Sequence, residues 1–192
     1  MTGGMTARPE LTARLLQAME NSKLVYLSAG SGWGKTTALA ALAREGAALL
    51  RAREPDCLAR LEHTLSDRVL LDNLQALSDP EDQAALVSIL AEAPPQRRFV
   101  LAGRAALPQY LKPFWVTGQL TLLGEADLAL TPEQTARALR QAGLTPDPVA
   151  LVRVQEAFGG YPTAVSLLLA RMGMGEAFGE VLLGAVRQDV YD

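Results

Sequence analysis

Val25-Tyr26-Leu27-Ser28-Ala29-Gly30-Ser31-Gly32-Trp33-Gly34-Lys35-Thr36-Thr37 is the stretch whose reading decides the fold. It opens as a short apolar strand, turns through three glycines, and enters a helical pattern that runs from Lys35 to about Arg44. Strand, glycine-rich loop and helix in that order are the context a phosphate-binding loop requires. Gly30, Gly32 and Gly34 let successive backbone N–H groups turn toward an anion, and the helix start adds its unpaired N–H groups and positive dipole end. Lys35 can reach the outer phosphates and the Thr36 hydroxyl can ligate Mg²⁺. The candidate nucleotide-contacting residues are therefore Gly30, Ser31, Gly32, Trp33, Gly34, Lys35, Thr36 and Thr37. Ala29 stands where the strict motif has its first glycine. An ordinary glycine-rich turn would explain the glycines alone; Gly-Lys-Thr-Thr after an apolar strand is far more specific.

Working outward, Arg68-Val69-Leu70-Leu71-Asp72-Asn73 is an apolar run that ends in an acid. In phosphate-loop NTPases a buried strand ends in an Asp that holds Mg²⁺, so Asp72 and Thr36 form the candidate metal pair. A strand ending in a turn-forming Asp-Asn pair is the plainer reading. Arg98-Phe99-Val100-Leu101-Ala102-Gly103-Arg104 repeats the pattern with a terminal cation. Apolar runs alternating with helices predict a mainly parallel sheet flanked by helices. Ligands of such sheets sit at the carboxyl ends of the strands, where the loop, Asp72 and Arg104 would all lie. Arg104 as a plain surface arginine is the alternative.

The flanks are helical. Leu11, Leu15, Leu16 and Met19 predict a helix opened by Arg8-Pro9, leading straight into the loop strand and therefore near the nucleotide. Ala47-Ala48-Leu49-Leu50 is a weak strand, and Leu58, Leu61 and Leu65 predict a helix to about Ser66. Ser78-Asp79-Pro80-Glu81 starts a helix that Pro94-Pro95 ends. Residues 107–119, with Pro108, Pro113 and Gly118, read as an irregular connection, and Gln119–Leu123 as the last strand. Helices start at Thr131-Pro132, Asp147-Pro148 and Tyr161-Pro162, and a last one runs to about Arg187. The expected division is an α/β core over residues 1–124 and a C-terminal helical lid over 125–192, with residues 1–7 loose.

Composition narrows the function. A net charge of −3, without a basic run or zinc-finger spacing, argues against direct nucleic-acid binding by this segment. No apolar run is long enough to cross a membrane and the N-terminus lacks the pattern of a secretion signal. One cysteine, Cys57, leaves no internal disulfide and suits a cytoplasmic location. One histidine, His63, makes no metal site and reads as a surface residue. No serine elbow, cysteine pair or second histidine supports hydrolase or redox chemistry.

The order of these pieces resembles the nucleotide-binding domain of STAND-class P-loop NTPases, of the type found in the maltose-regulon activator and related large LuxR-type regulators. The resemblance rests on Arg8-Pro9, on Ala29–Thr37, and on Leu71-Asp72-Asn73-Leu74-Gln75-Ala76-Leu77 with Asp79-Pro80. It continues through Phe99–Arg104, Leu130-Thr131-Pro132-Glu133-Gln134 and Gly159-Gly160-Tyr161-Pro162. It implies an ASCE/AAA-like α/β P-loop core, ATP or ADP with Mg²⁺ as cofactors, and a switch between nucleotide-dependent domain arrangements. By the same resemblance Lys35, Asp72 and Arg104 are the catalytic set, Arg104 being a sensor near the γ-phosphate. Arg8 and Pro162 join the nucleotide-binding residues, Pro162 lying against base or ribose. Further regulator domains, a protein partner and a nucleotide-dependent oligomer are the implied partners. The chain is expected to be a fragment of a larger bacterial transcriptional regulator.

Two departures bear on activity. Asn73 stands where the family often has a second acid, and an amide cannot take a proton from attacking water as a carboxylate can. Slow or partner-dependent ATP hydrolysis is the expectation. The stretch between the loop helix and Asp72 is also shorter than usual. Two other functions remain open: a small-molecule kinase, which would need a clustered arginine lid, and an interaction module that does not hydrolyse nucleotide.

Overall fold

The computed structural model describes residues 8–143, 145 and 147–191; residues 1–7, expected to be loose, lie outside them. By their contacts the described residues fall into two units. The first comprises Arg8–Ser31 and Lys35–Leu128; the second comprises Gly32–Gly34 and the chain from Ala129 onward.

The first unit begins with α1 (Pro9–Asn21), whose proline occupies the first turn, where no backbone N–H is needed. Leu11, Leu15, Ala18 and Met19 form its buried stripe. There follow β1 (Leu24–Ser28), α2 (Lys35–Arg44), β2 (Ala48–Arg51), α3 (Cys57–His63) and β3 (Arg68–Asp72). A 3-10 turn over Leu74–Ala76 leads to α4 (Pro80–Glu92), which is capped by the Asp79 carboxylate accepting from the Glu81 N–H at 2.8 Å. Then come β4 (Arg98–Gly103), α5 (Lys112–Val116), β5 (Leu120–Leu123) and the short α6 (Glu125–Leu128).

All five strands are parallel, in the order β2-β3-β4-β1-β5. The chain is therefore an α/β protein with a parallel sheet among helices. The core includes Leu24, Tyr26, Leu61, Leu71, Leu86, Phe99 and Leu101. Register carries chemistry to one edge. Ser28 pairs with Gly103, Leu27 with Leu123, and Leu71 with Leu101. The chain thus leaves β1, β3, β4 and β5 within about one residue of the same row. Their following loops share the carboxyl edge, where open α/β sheets place ligands.

Two expectations needed correction. Residues 107–119 are not irregular throughout: a 3-10 turn over Gln109–Leu111 runs into α5, with Pro113 in the first helical turn. Proline there is a starter, because its fixed φ suits the helix and its missing N–H is not missed. The helix over Leu58, Leu61 and Leu65 stops at His63, since Thr64 is extended at ψ 138°, and Leu65 is 94 % exposed.

The second unit contains α7 (Pro132–Gln141), α8 (Pro148–Phe158), α9 (Pro162–Gly173) and α10 (Glu180–Tyr191). A reciprocal capping box between Thr131 and Gln134 starts α7. Val154, Phe158, Val165, Leu168, Leu182, Leu183 and Val186 form the core of this unit. Gly159-Gly160 closes α8, and Gly160 is constrained twice: its φ is +76°, and a Cβ there would stand 2.4 Å from the Leu130 carbonyl oxygen. That carbonyl accepts from the Gln155 amide, and the Leu130 N–H donates to the Gly160 carbonyl at 2.8 Å.

Candidate phosphate and metal site

The site in the first unit is built on the end of β1. Lys35, the first residue of α2, is 8 % exposed and donates to the carbonyls of Ala29 and Gly30, each at 2.6 Å. Burial pushes its ammonium below the usual lysine range; Asp72 pulls it back up, Arg104 pushes it further down, and Glu125 pulls it up. The fields of Asp72, Arg104 and Glu125 thus converge on one lysine.

The next residue makes the second link. The Thr36 hydroxyl donates to Asp72 Oδ2 at 2.7 Å, across the row of β4 that separates β1 from β3. Asp72 is 3 % exposed, and its Oδ1 accepts from the Asn73 N–H at 2.8 Å. A hydroxyl and a carboxylate side by side beside a phosphate-binding loop are the hard oxygen donors Mg²⁺ takes, with phosphate and water completing its shell. Among the described residues no group of three or more His, Cys, Asp or Glu could hold a metal by itself. The donors therefore fit a cation shared with phosphate.

Asn73 takes a left-handed conformation at φ 61°, which asparagine tolerates better than most residues. It opens the 3-10 turn and accepts from the Gln75 amide.

Arg104 is exposed, just past β4. Two hydroxyls of β1 fix the loop around it: Tyr26 Oη and Ser28 Oγ both donate to the Ala105 carbonyl, each at 3.0 Å. They can do so together because residues two apart on a strand point the same way. Gly103 fits beneath Tyr26, whose hydroxyl would lie 2.2 Å from any Cβ at that position.

Arg8 and Pro162 each have a place within their own unit. Arg8 Nη1 donates to the Leu128 carbonyl at 2.7 Å, tying the start of α1 to the end of α6. Pro162 is buried in the first turn of α9, in the second unit. Gly32–Gly34 also group with that unit. The Thr163 hydroxyl donates to the Gly32 carbonyl at 2.8 Å, and the Trp33 and Tyr161 rings lie 4.9 Å apart. Ser31 and Thr37 are exposed, before the helix and in its first turn.

Glu125 carries no motif in the sequence. Its Oε1 accepts from the Gly30 N–H at 2.9 Å. A single acid six residues before a helix-capping threonine carries no spacing signal; it reaches the loop because β5 pairs with β1. Cys57 is buried, with its thiol pushed up by that burial, and His63 is exposed at the end of α3. Neither joins the site.

No protein-family model and no curated protein sequence matches the chain. Solved structures do. The Walker-type ATPase PABY2304 of Pyrococcus abyssi superposes with a TM-score of 0.65 at 16 % identity, over 95 % of this chain and 70 % of that one. A variant of Thermotoga maritima RuvB gives 0.61 at 16 % identity, over 96 % and 70 %. Domain III of the T. maritima replication initiation protein DnaA gives 0.58 at 12 % identity, over 96 % and 93 %. Sheet order, loop and neighbours agree: this chain has the α/β fold of the P-loop ATPases.

Proposed function

We propose that the chain binds ATP and ADP with Mg²⁺ and works as a nucleotide-dependent switch that hydrolyses ATP slowly. The observation that carries this is the meeting of Lys35, Thr36 and Asp72 at the carboxyl edge of the sheet. Lys35 would exchange the Ala29 and Gly30 carbonyls for phosphate oxygens. Thr36 and Asp72 would hold Mg²⁺, which when bound neutralises phosphate charge. Arg104, on a loop held by Tyr26 and Ser28, would sense the outermost phosphate, and the N–H groups from Ser31 to Thr37 would line the chain of phosphates, with Gly30 held against Glu125 at the start of the loop. Arg8 and Pro162 would approach the nucleoside.

Slow turnover follows from Asn73: beside Asp72 there is an amide and not a second carboxylate to take a proton from water. In the finer reading the chain is the STAND-type NTPase part of a bacterial, cytoplasmic transcriptional regulator, acting with further domains or a protein partner. Its support is the resemblance of the motifs. A kinase reading gains nothing from the helical unit, where Arg153 pairs with Glu180 and Arg171 with Asp189. Calorimetric titration with Mg·ATP and Mg·ADP tests the proposal: the wild type binds and Lys35→Ala does not. Equal binding by both proteins would refute it.

A further inference from the structure

Glu125 stands directly after Gly124 at the end of β5, and its position is braced. The Gly124 N–H donates to Asp127 Oδ2 at 2.7 Å, the Asp127 N–H returns to the Gly124 carbonyl at 3.1 Å, and Asp127 is ion-paired with Arg14 of α1. From this turn the Glu125 carboxylate takes the Gly30 N–H. The carbonyl of that same peptide group, Ala29–Gly30, takes the Lys35 ammonium. One peptide group of the phosphate loop is thus polarised from both ends, by a cation on its oxygen and an anion on its hydrogen.

We infer that Glu125 is a specificity-determining residue of the phosphate loop: its carboxylate, seated on the Gly30 N–H, disfavours a nucleoside triphosphate relative to the diphosphate. The inference rests on the nucleotide-binding reading above. The loop concentrates N–H dipoles for an anion, and Glu125 already brings one negative charge into that field. Mg·ATP carries about one more negative charge than Mg·ADP, so a fixed carboxylate penalises it more. The carboxylate also supports the peptide orientation that keeps Lys35 on the Ala29 carbonyl, which raises the cost of moving the ammonium onto phosphate.

Glu125→Gln separates charge from hydrogen bonding, because the amide oxygen still accepts from the Gly30 N–H. Affinities for Mg·ATP and Mg·ADP are measured calorimetrically for wild type, Glu125→Gln and Glu125→Ala, at low and at high KCl. Both variants raise the ATP:ADP affinity ratio, by about two- to threefold at low salt, the scale of one charge pair roughly 8 Å apart under water-like screening at an exposed carboxylate. The gain shrinks as KCl rises, which a purely structural role would not produce. A ratio unchanged in Glu125→Gln, or shifted only in Glu125→Ala, overturns the inference and leaves nucleotide binding standing. Lost ATP turnover at unchanged affinities overturns it in favour of a general base. Failure of all three proteins to bind either nucleotide overturns both readings.

Discussion

Asn73 is the residue on which the proposed slow turnover rests. Its left-handed backbone suits Asn or Asp, so Asn73→Asp is a substitution the local geometry accepts. It places a carboxylate beside Asp72, and a positioned general base contributes about 10²- to 10⁴-fold. Asn73→Asp is therefore expected to raise kcat for ATP by about 10²-fold in a phosphate-release assay; an unchanged rate would remove the amide as the cause of slow turnover. Tyr26 and Gly103 are a second residue-scale pair. A side chain at 103 meets the Tyr26 hydroxyl, so Gly103→Ala should cost about 1–3 kcal/mol by overpacking. Tyr26→Phe should recover part of that loss in thermal melts. Burial, with the Tyr110 phenol adding to it, pushes the Tyr26 phenol up to about 12. A raised pKa means the folded state keeps a proton that the unfolded chain releases near pH 10. Its stabilising contribution is whole below about pH 10 and is lost as pH rises toward 12. Alkaline unfolding should be shallower by about 2 kcal/mol across that window in Tyr26→Phe than in wild type, read by denaturant titration at each pH.

The elements divide into those legible from local signals and those not. Lys35, Thr36 and Asp72 were legible because loop, helix start and strand end are contiguous patterns, and the structure brings the three side chains together. The capping box of α7 was equally local, and Thr131→Ala should cost about 1 kcal/mol of stability, measured by chemical denaturation. Helix α5 is hidden from the sequence because Pro113 looks like a breaker there, whereas it sits where a helix begins. The end of α3 is hidden in the same way, because helical spacing from Leu58 through Leu65 continues past the point where Thr64 turns extended. From the sequence Gly32 is only a loop glycine. Its φ of +77° and the approach of the Tyr161 hydroxyl and Thr163 make it a packing position as well. Spacing cannot reveal that, since the start of α9 is more than a hundred residues away.

Across the whole molecule, what escaped the sequence is what strand order decides. The order β2-β3-β4-β1-β5 puts β5 beside β1, and only then does Glu125 meet Gly30. It also sets β4 between the loop strand and the Asp72 strand, so that the Ala105 carbonyl falls under the hydroxyls of Tyr26 and Ser28. Parallel register then delivers the four loop ends to one edge. At this edge Thr36 and Asp72 are proposed to grip the cation through which a nucleotide is held. The most direct measurement is ATP affinity with Mg²⁺ and with EDTA, for wild type and Asp72→Asn. Mg²⁺ is expected to tighten ATP binding to the wild type by about tenfold or more, roughly 1.4 kcal/mol, and to leave binding to Asp72→Asn nearly unchanged. An ATP affinity indifferent to Mg²⁺ in the wild type, or equally Mg²⁺-dependent in both proteins, would contradict it.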